Sequence, residues 1–123
     1  LAEHIDNGRA AEQLACRFLT DRGLTAVTTN YRCRYGELDL IMRDGALLIV
    51  VEIRYRRRSV FGGPIESISP AKQRKIALTT QHFIRRHPAY RNDPVRFDVV
   101  GLTGTLRAPD IRWLPGAFTM DDL

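Results

Sequence analysis

Glu37, Asp39 and Glu52 stand on two segments joined by Asp44-Gly45, and carboxylates spaced in this way suit the binding of a divalent cation. Asp-Gly between alternating residues is a strong signal for a two-residue hairpin, so Glu37 to Arg43 and Ala46 to Tyr55 are expected to pair as antiparallel strands. Such a turn pairs Arg43 with Ala46 and, counting outward, Asp39 with Val50 and Glu37 with Glu52. Strand side chains alternate with period two, which puts Val50, Glu52 and Arg54 on one face with Glu37 and Asp39, and Leu47, Ile49, Val51 and Ile53 on the other. Asp39 and Glu52 then become diagonal neighbours at about 7–8 Å, close enough to share one ion. Glu37 opposite Glu52 is a repulsive pair that a bound cation or nearby arginines would relieve. Mg2+ (or Mn2+) fits, because magnesium takes one or two carboxylates, keeps several waters and accepts phosphate oxygens. The chemistry this points to is phosphodiester hydrolysis.

The elements that must hold these groups can be read from periodicity. Ala11, Leu14, Ala15, Phe18 and Leu19 form an apolar stripe on a helix expected over about 8–22, with Asp6 or Asn7 as N-cap and Gly23 as terminator. Leu24 to Arg32 reads as a first strand, followed by a polar turn through Cys33, Arg34, Tyr35 and Gly36. Residues 56–68 lack periodicity and read as a mobile basic loop. Ser69 caps a second helix with Pro70 at its first position and Ile76, Ala77, Thr80, Phe83 and Ile84 on its apolar face, stopping before Pro88. Val95 to Leu102 is a further strand and Ile111 to Leu114 another short one, with a tail or partner-contacting arm from Pro115 (residues 115–123). The order is α-β-β-β-α-β with an optional last strand, and the 123 residues are expected to form a single domain.

Charge points to a polyanionic partner. The net charge is +5, and between Ile53 and Asn92 the basic residues Arg54, Arg56, Arg57, Arg58, Lys72, Arg74, Lys75, Arg85, Arg86 and Arg91 face one acid, Glu66. Arginines at 54, 56, 57 and 58 beside a carboxylate site suit phosphate capture better than a merely solvated surface. Lys72, Arg74 and Lys75 crowd a helix N-terminus, where the helix dipole disfavours cations, so an anionic ligand explains them better than helix stability does. Asp98 reads as a buried ion-pair partner of a nearby arginine, and Trp113 with Phe118 as core or interface. Cys16 and Cys33 show neither a C-x-x-C nor a Cys/His pattern, and His4, His82 and His87 lack ligand spacing, so neither a disulfide framework nor a zinc site is indicated. The longest apolar run, Ala46 to Val51, is too short to cross a bilayer, and the first residues lack a signal-peptide layout. A cytoplasmic protein with no membrane partner is expected.

The segments Gly36-Glu37-Leu38-Asp39-Leu40-Ile41 and Val51-Glu52-Ile53-Arg54 resemble the core motif of the PD-(D/E)xK nuclease superfamily, which includes restriction enzymes and Holliday-junction resolvases. More narrowly, with Gly8 and Glu12 in a Gly-x-x-x-Glu pattern on helix one and a basic second helix after the hairpin, nearly the whole chain is similar to the small bacterial YraN-like family. The resemblance implies an α/β fold with a restriction-endonuclease-like core, a mixed central sheet flanked by helices. It implies Asp39 and Glu52 as metal ligands, Glu12 approaching the metal from helix one, and Glu37 and Gln73 in lesser roles. Arg54 stands where the superfamily has lysine; an arginine stays protonated, so it can clamp a phosphate or orient a water but not act as a base.

The function expected on these grounds is that of a divalent-metal-dependent, resolvase-like endonuclease. Asp39, Glu52, Arg54 and Glu12 would form its catalytic centre, and Arg56, Arg57, Arg58, Lys72, Arg74 and Lys75 would grip DNA. The alternative is a nucleic-acid-binding accessory protein with the same fold but no turnover; an interaction module working through the C-terminal arm is a third option. A homodimer is compatible with the sequence but not required by it.

Overall fold

The computed structural model describes residues 2–58 and 68–119, with side chains from residue 7 onward. Its elements run α1 (Ala2–Asp21), β1 (Thr25–Cys33), β2 (Gly36–Asp44), β3 (Leu47–Arg56), α2 (Pro70–Arg86), a single 3-10 turn (Pro88–Tyr90), β4 (Val95–Thr103) and β5 (Asp110–Phe118). The strands form one mixed sheet in the order β1-β2-β3-β4-β5, in which only β3 and β4 are parallel. The expected α-β-β-β-α-β order is therefore present, with β5 completing it. The mobile basic loop expected over 56–68 falls for the most part outside the described residues.

Two apolar layers sandwich the sheet. On one face Ala11, Ala15 and Leu19 of α1 pack against Leu40, Met42, Ile49, Val51, Val100 and Leu102. On the other, Ile76 and Phe83 of α2 pack against Leu38, Ile41, Leu48, Val50, Phe97 and Val99. Because β3 and β4 are covered on both faces, they read as near-continuous aliphatic runs, as parallel pairing requires. The parallel pair needs a crossover, and α2 supplies it. A helix that returns antiparallel to β3 begins near the end where β3 finishes, so the first turn of α2 comes to lie over Glu52.

α2 starts where its capping chemistry dictates. Ser69 Oγ accepts the backbone N–H of Lys72 (3.2 Å), and Pro70 fills the first helical turn, where a missing N–H costs nothing. Ser69→Ala is expected to destabilise the fold by about 1 kcal/mol, the usual cost of losing an N-cap, as measured by urea denaturation.

Three expectations about the chain need correction. α1 begins at Ala2, well before residue 8. β5 runs to Phe118, so Pro115–Phe118 are sheet and not tail; Phe118 stacks on Phe97 with ring centroids 4.6 Å apart, and this burial holds the strand end in place. The β2–β3 register also differs. Asp44 pairs with Leu47 and Ile41 with Val50, so the turn residues are Gly45 and Ala46. Gly45 has φ +59°, whereas Ala46 is not among the positive-φ residues, the pattern of a hairpin turn with glycine at its first central position. The acid stays in the strand, and each partner moves two residues along.

Candidate metal-binding and nucleic-acid site

The register shift moves Asp39 along the hairpin toward Glu52, and the two acids line one cleft. Counted one step beyond the Leu40–Val51 pair, where the ladder ends, Asp39 comes level with Glu52, and the same count takes Glu37 away from Glu52. Glu37 is exposed and paired with Arg32 at 3.2 Å, so the like-charge conflict falls on Asp39 and Glu52 instead.

Both ladders give way at Asp39. The β1–β2 pairing passes from Thr29–Leu40 to Tyr31–Leu38 over Asn30 and Asp39, and the β2–β3 pairing ends at Leu40–Val51. Asp39 Oδ2 accepts the backbone N–H of Ile53 at 2.9 Å, so a side chain takes the place of a ladder bond. Asn30 has φ +53°, a left-handed conformation that asparagine tolerates better than most residues, and its Nδ2 donates to Glu12 Oε2 at 2.9 Å. Glu12, Asn30, Asp39 and Glu52 thus follow one another from α1 across the sheet.

Lys72 completes this row from the first turn of α2, its Nζ 2.6 Å from Oε1 of the nearly buried Glu52. Asp39 and Glu52 open into a cleft of about 450 Å³ walled by Gly36, Lys72, Lys75 and Ile76, with Glu37 at its margin. Burial first, then the charge of Glu52 and last that of Glu12 raise the pKa of Asp39 from 3.8 to about 7, against the opposing pull of the Ile53 N–H and Lys72. Near neutral pH this acid is balanced between holding a proton and competing with its neighbour for positive charge.

Not every expected site residue takes part. Arg54 is half-buried, but it does not wall the cleft, and among the described residues its side chain has no hydrogen bond or ion pair. The cation at the carboxylates is Lys72, which the sequence marked only as a nucleic-acid contact. Gln73 donates to the Ile68 carbonyl (2.7 Å) and so serves the start of the helix. Arg56, Arg57 and Arg58 are exposed at and beyond the end of β3, as Arg74 and Lys75 are on α2. The role of Asn30 left no sequence signal beyond its residue type.

The donors suit a small hard cation. Among the described residues no three His, Cys, Asp or Glu side chains converge into a cage. Two facing carboxylates are nonetheless what magnesium asks of a protein when water and phosphate oxygens supply its remaining ligands.

Fold and site together define an α/β protein with a mixed five-stranded sheet, an acidic pair at the end of its hairpin and a lysine laid over that pair by a crossover helix. The chain belongs to the family described as uncharacterised protein family UPF0102, whose model matches residues 11–102 and so spans Glu12, Asp39, Glu52 and Lys72. It is similar to the UPF0102 protein of Nitrosococcus oceani, with 48% identity over 98% of this chain and 97% of the relative. It is also similar to the UPF0102 proteins of Stutzerimonas stutzeri (42% identity, 96% and 98% covered) and Saccharophagus degradans (40%, 99% and 100%). The resemblance to the YraN-like family is borne out at this level. No helix among the described residues is long and apolar enough to cross a membrane.

Proposed function

We propose that this protein is a divalent-metal-dependent endonuclease of the PD-(D/E)xK type that cuts phosphodiester bonds in branched or structured DNA. The observation that carries the reading is the juxtaposition of Asp39 and Glu52 in an open cleft beneath Lys72. Asp39 and Glu52 are the residues that would hold Mg2+ or Mn2+, with Glu12 the next carboxylate out. Such an ion supplies Lewis-acid polarisation of a phosphoryl oxygen and a more acidic bound water.

The chain's own groups do the rest. Ile53 N–H fixes one oxygen of Asp39, a residue that lines the cleft. Lys72, with three donors on a flexible stem, reaches any phosphate placed at the pair and offsets the negative charge that develops during displacement. Arg54 stays protonated and serves as a clamp on an adjacent phosphate. Arg56, Arg57, Arg58, Arg74 and Lys75 bind flanking phosphates, which sets register without reading sequence.

A second reading, a DNA-binding accessory protein without turnover, is favoured by the ion pair that Lys72 makes with Glu52 and by the lack of a third converging ligand among the described residues. One experiment separates them: purified protein is incubated with four-way-junction and linear DNA in Mg2+ or Mn2+, beside Glu52→Gln. The nuclease reading expects cleavage that chelation stops and that the variant slows by about 100-fold or more, equivalent to about 3 kcal/mol of barrier. Equal cleavage by the variant excludes this site, and tight binding with no cleavage in either metal establishes the accessory role.

A further inference from the structure

A second cleft, of about 560 Å³, opens where the β1–β2 hairpin lies along the C-terminal half of α2. Its walls are Tyr31, Arg32, Cys33, Arg34, His82 and Arg86, with no acid among them. Arg34 is held in place by Tyr35, its guanidinium 4.9 Å from the ring centroid and Nη2 donating to the phenol oxygen at 2.7 Å. Tyr31 and His82 share a hydrogen bond of 2.5 Å that fixes the imidazole against the hairpin. Partial burial lowers the pKa of His82, and the charges of Arg86, Arg85 and Arg34 lower it further, a sign that the cleft already carries positive potential.

Helix stability explains only part of this cluster. Arg85 and Arg86 occupy the last turn of α2, where the helix dipole favours cations. Arg32, which is ion-paired with Glu37 at 3.2 Å, and Arg34 come from the hairpin, yet they converge on the same space. Lys72, Lys75, Thr79, His82 and Arg86 advance by threes and fours and so share one side of α2. Lys72 and Lys75 wall the carboxylate cleft, and His82 and Arg86 wall this one. The Gly36 backbone lies close against Thr79 between them: a Cβ on Gly36 would stand 3.3 Å from Thr79 Oγ1. At 1.5 Å per residue the row spans about 21 Å, roughly the rise of six nucleotides along one strand of a duplex at 3.4 Å each.

We propose that this cleft is a phosphate-binding subsite for the same DNA strand that presents its phosphodiester to Asp39 and Glu52, so that the strand runs along α2 and across the hairpin. The inference rests on the nucleic-acid reading above. It adds Arg32, Arg34 and Arg86 to the contact surface and gives the strand a direction.

The test is fluorescence anisotropy of a labelled four-way junction and a labelled 20-base-pair duplex across a KCl series in EDTA. The wild-type chain is compared with Arg34→Gln/Arg86→Gln and with a control that removes two charges elsewhere, Arg107→Gln/Arg112→Gln. Loss of two phosphate contacts should lower affinity about tenfold near 0.1 M salt and reduce the log–log salt slope by about 2, with the control close to wild type. If the wild type binds and both double variants match it, or both fall equally, the subsite is refuted while the carboxylate reading stands. If the wild type binds neither DNA, the nucleic-acid reading fails and the subsite fails with it.

Discussion

Asp39→Asn is expected to make the protein more stable above neutral pH and, under the nuclease proposal, to abolish metal-dependent cleavage. In the folded state the Asp39 carboxyl titrates at about 7, raised first by burial and then by Glu52, against 3.8 in the open chain. The folded protein therefore keeps a proton that the unfolded chain releases. This contribution is fully present below pH about 4, falls away as pH rises through about 7, and leaves an ionised, crowded acid above that. Asparagine imitates the protonated acid, and its side-chain oxygen still accepts the Ile53 N–H. In urea denaturation with EDTA, the variant should gain on the order of 3–4 kcal/mol over wild type at pH 8.5 and no more than about 1 kcal/mol at pH 4.5, because the wild-type fold loses about 1.4 kcal/mol for each pH step between those two titrations. Cleavage assayed in parallel should be lost, the exchange of stability for activity expected where a site stores electrostatic repulsion. Equal stability of the two proteins at pH 8.5 would show that Asp39 ionises without cost and that the pair is not strained.

The largest destabilisation is expected from Asp98→Ala. Asp98 is fully buried in β4, and its two oxygens accept four hydrogen bonds: from Arg96 Nε (2.8 Å) and Nη2 (2.9 Å), Trp113 Nε1 (2.9 Å) and the Gly116 N–H (3.0 Å). The hydrogen bond to Asp98 is also the main cause of a raised pKa at Arg96, so the guanidinium is bound as firmly as the carboxylate. The β4–β5 register shifts between Phe97 and Val99, and Asp98 spans that irregularity, tying β5 to the sheet where ladder bonds are interrupted. Alanine leaves the Trp113 and Gly116 donors without an acceptor and strands a guanidinium that is only 32% exposed. A loss of about 3–5 kcal/mol is expected by chemical denaturation, the usual cost of removing one partner from a buried ion pair. Hydrogen exchange should show β5 amides losing protection before those of β3. A change within 1 kcal/mol would mean that water replaces the carboxylate and that β5 is held by apolar contacts such as Phe97–Phe118.

Much of this arrangement was legible in the chain because its causes are local. Ser69 followed by Pro70 marks the start of α2 through capping chemistry, and Ala11, Ala15 and Leu19 mark the buried stripe of α1 through spacing alone. That Asp39 and Glu52 come together was also legible from the hairpin, although the period-two alternation breaks at Asp39, with Leu38 and Leu40 packed on opposite faces of the sheet. Asp98 as an ion-pair partner followed from its proximity to Arg96 on the same strand.

The details that decide chemistry were not local. Whether Asp39 stands diagonal to Glu52 or opposite it depended on which turn position Gly45 occupies, a difference of one residue that Asp-Gly does not specify. Lys72 lies twenty residues beyond Glu52 in sequence and meets it only because the crossover folds α2 back over the end of β3. Arg54, two residues from Glu52, looked the nearer cation and yet stays clear of the cleft. By itself, then, the sequence determined the elements, their order and the hairpin that carries the acids, since periodicity and caps act over a few residues. Only the tertiary structure decided which cation meets those acids, how far Asp39 is pushed toward neutrality, and that hairpin and helix arginines converge on one cleft. Each of these is a distance between elements, set when the two faces of the sheet are covered.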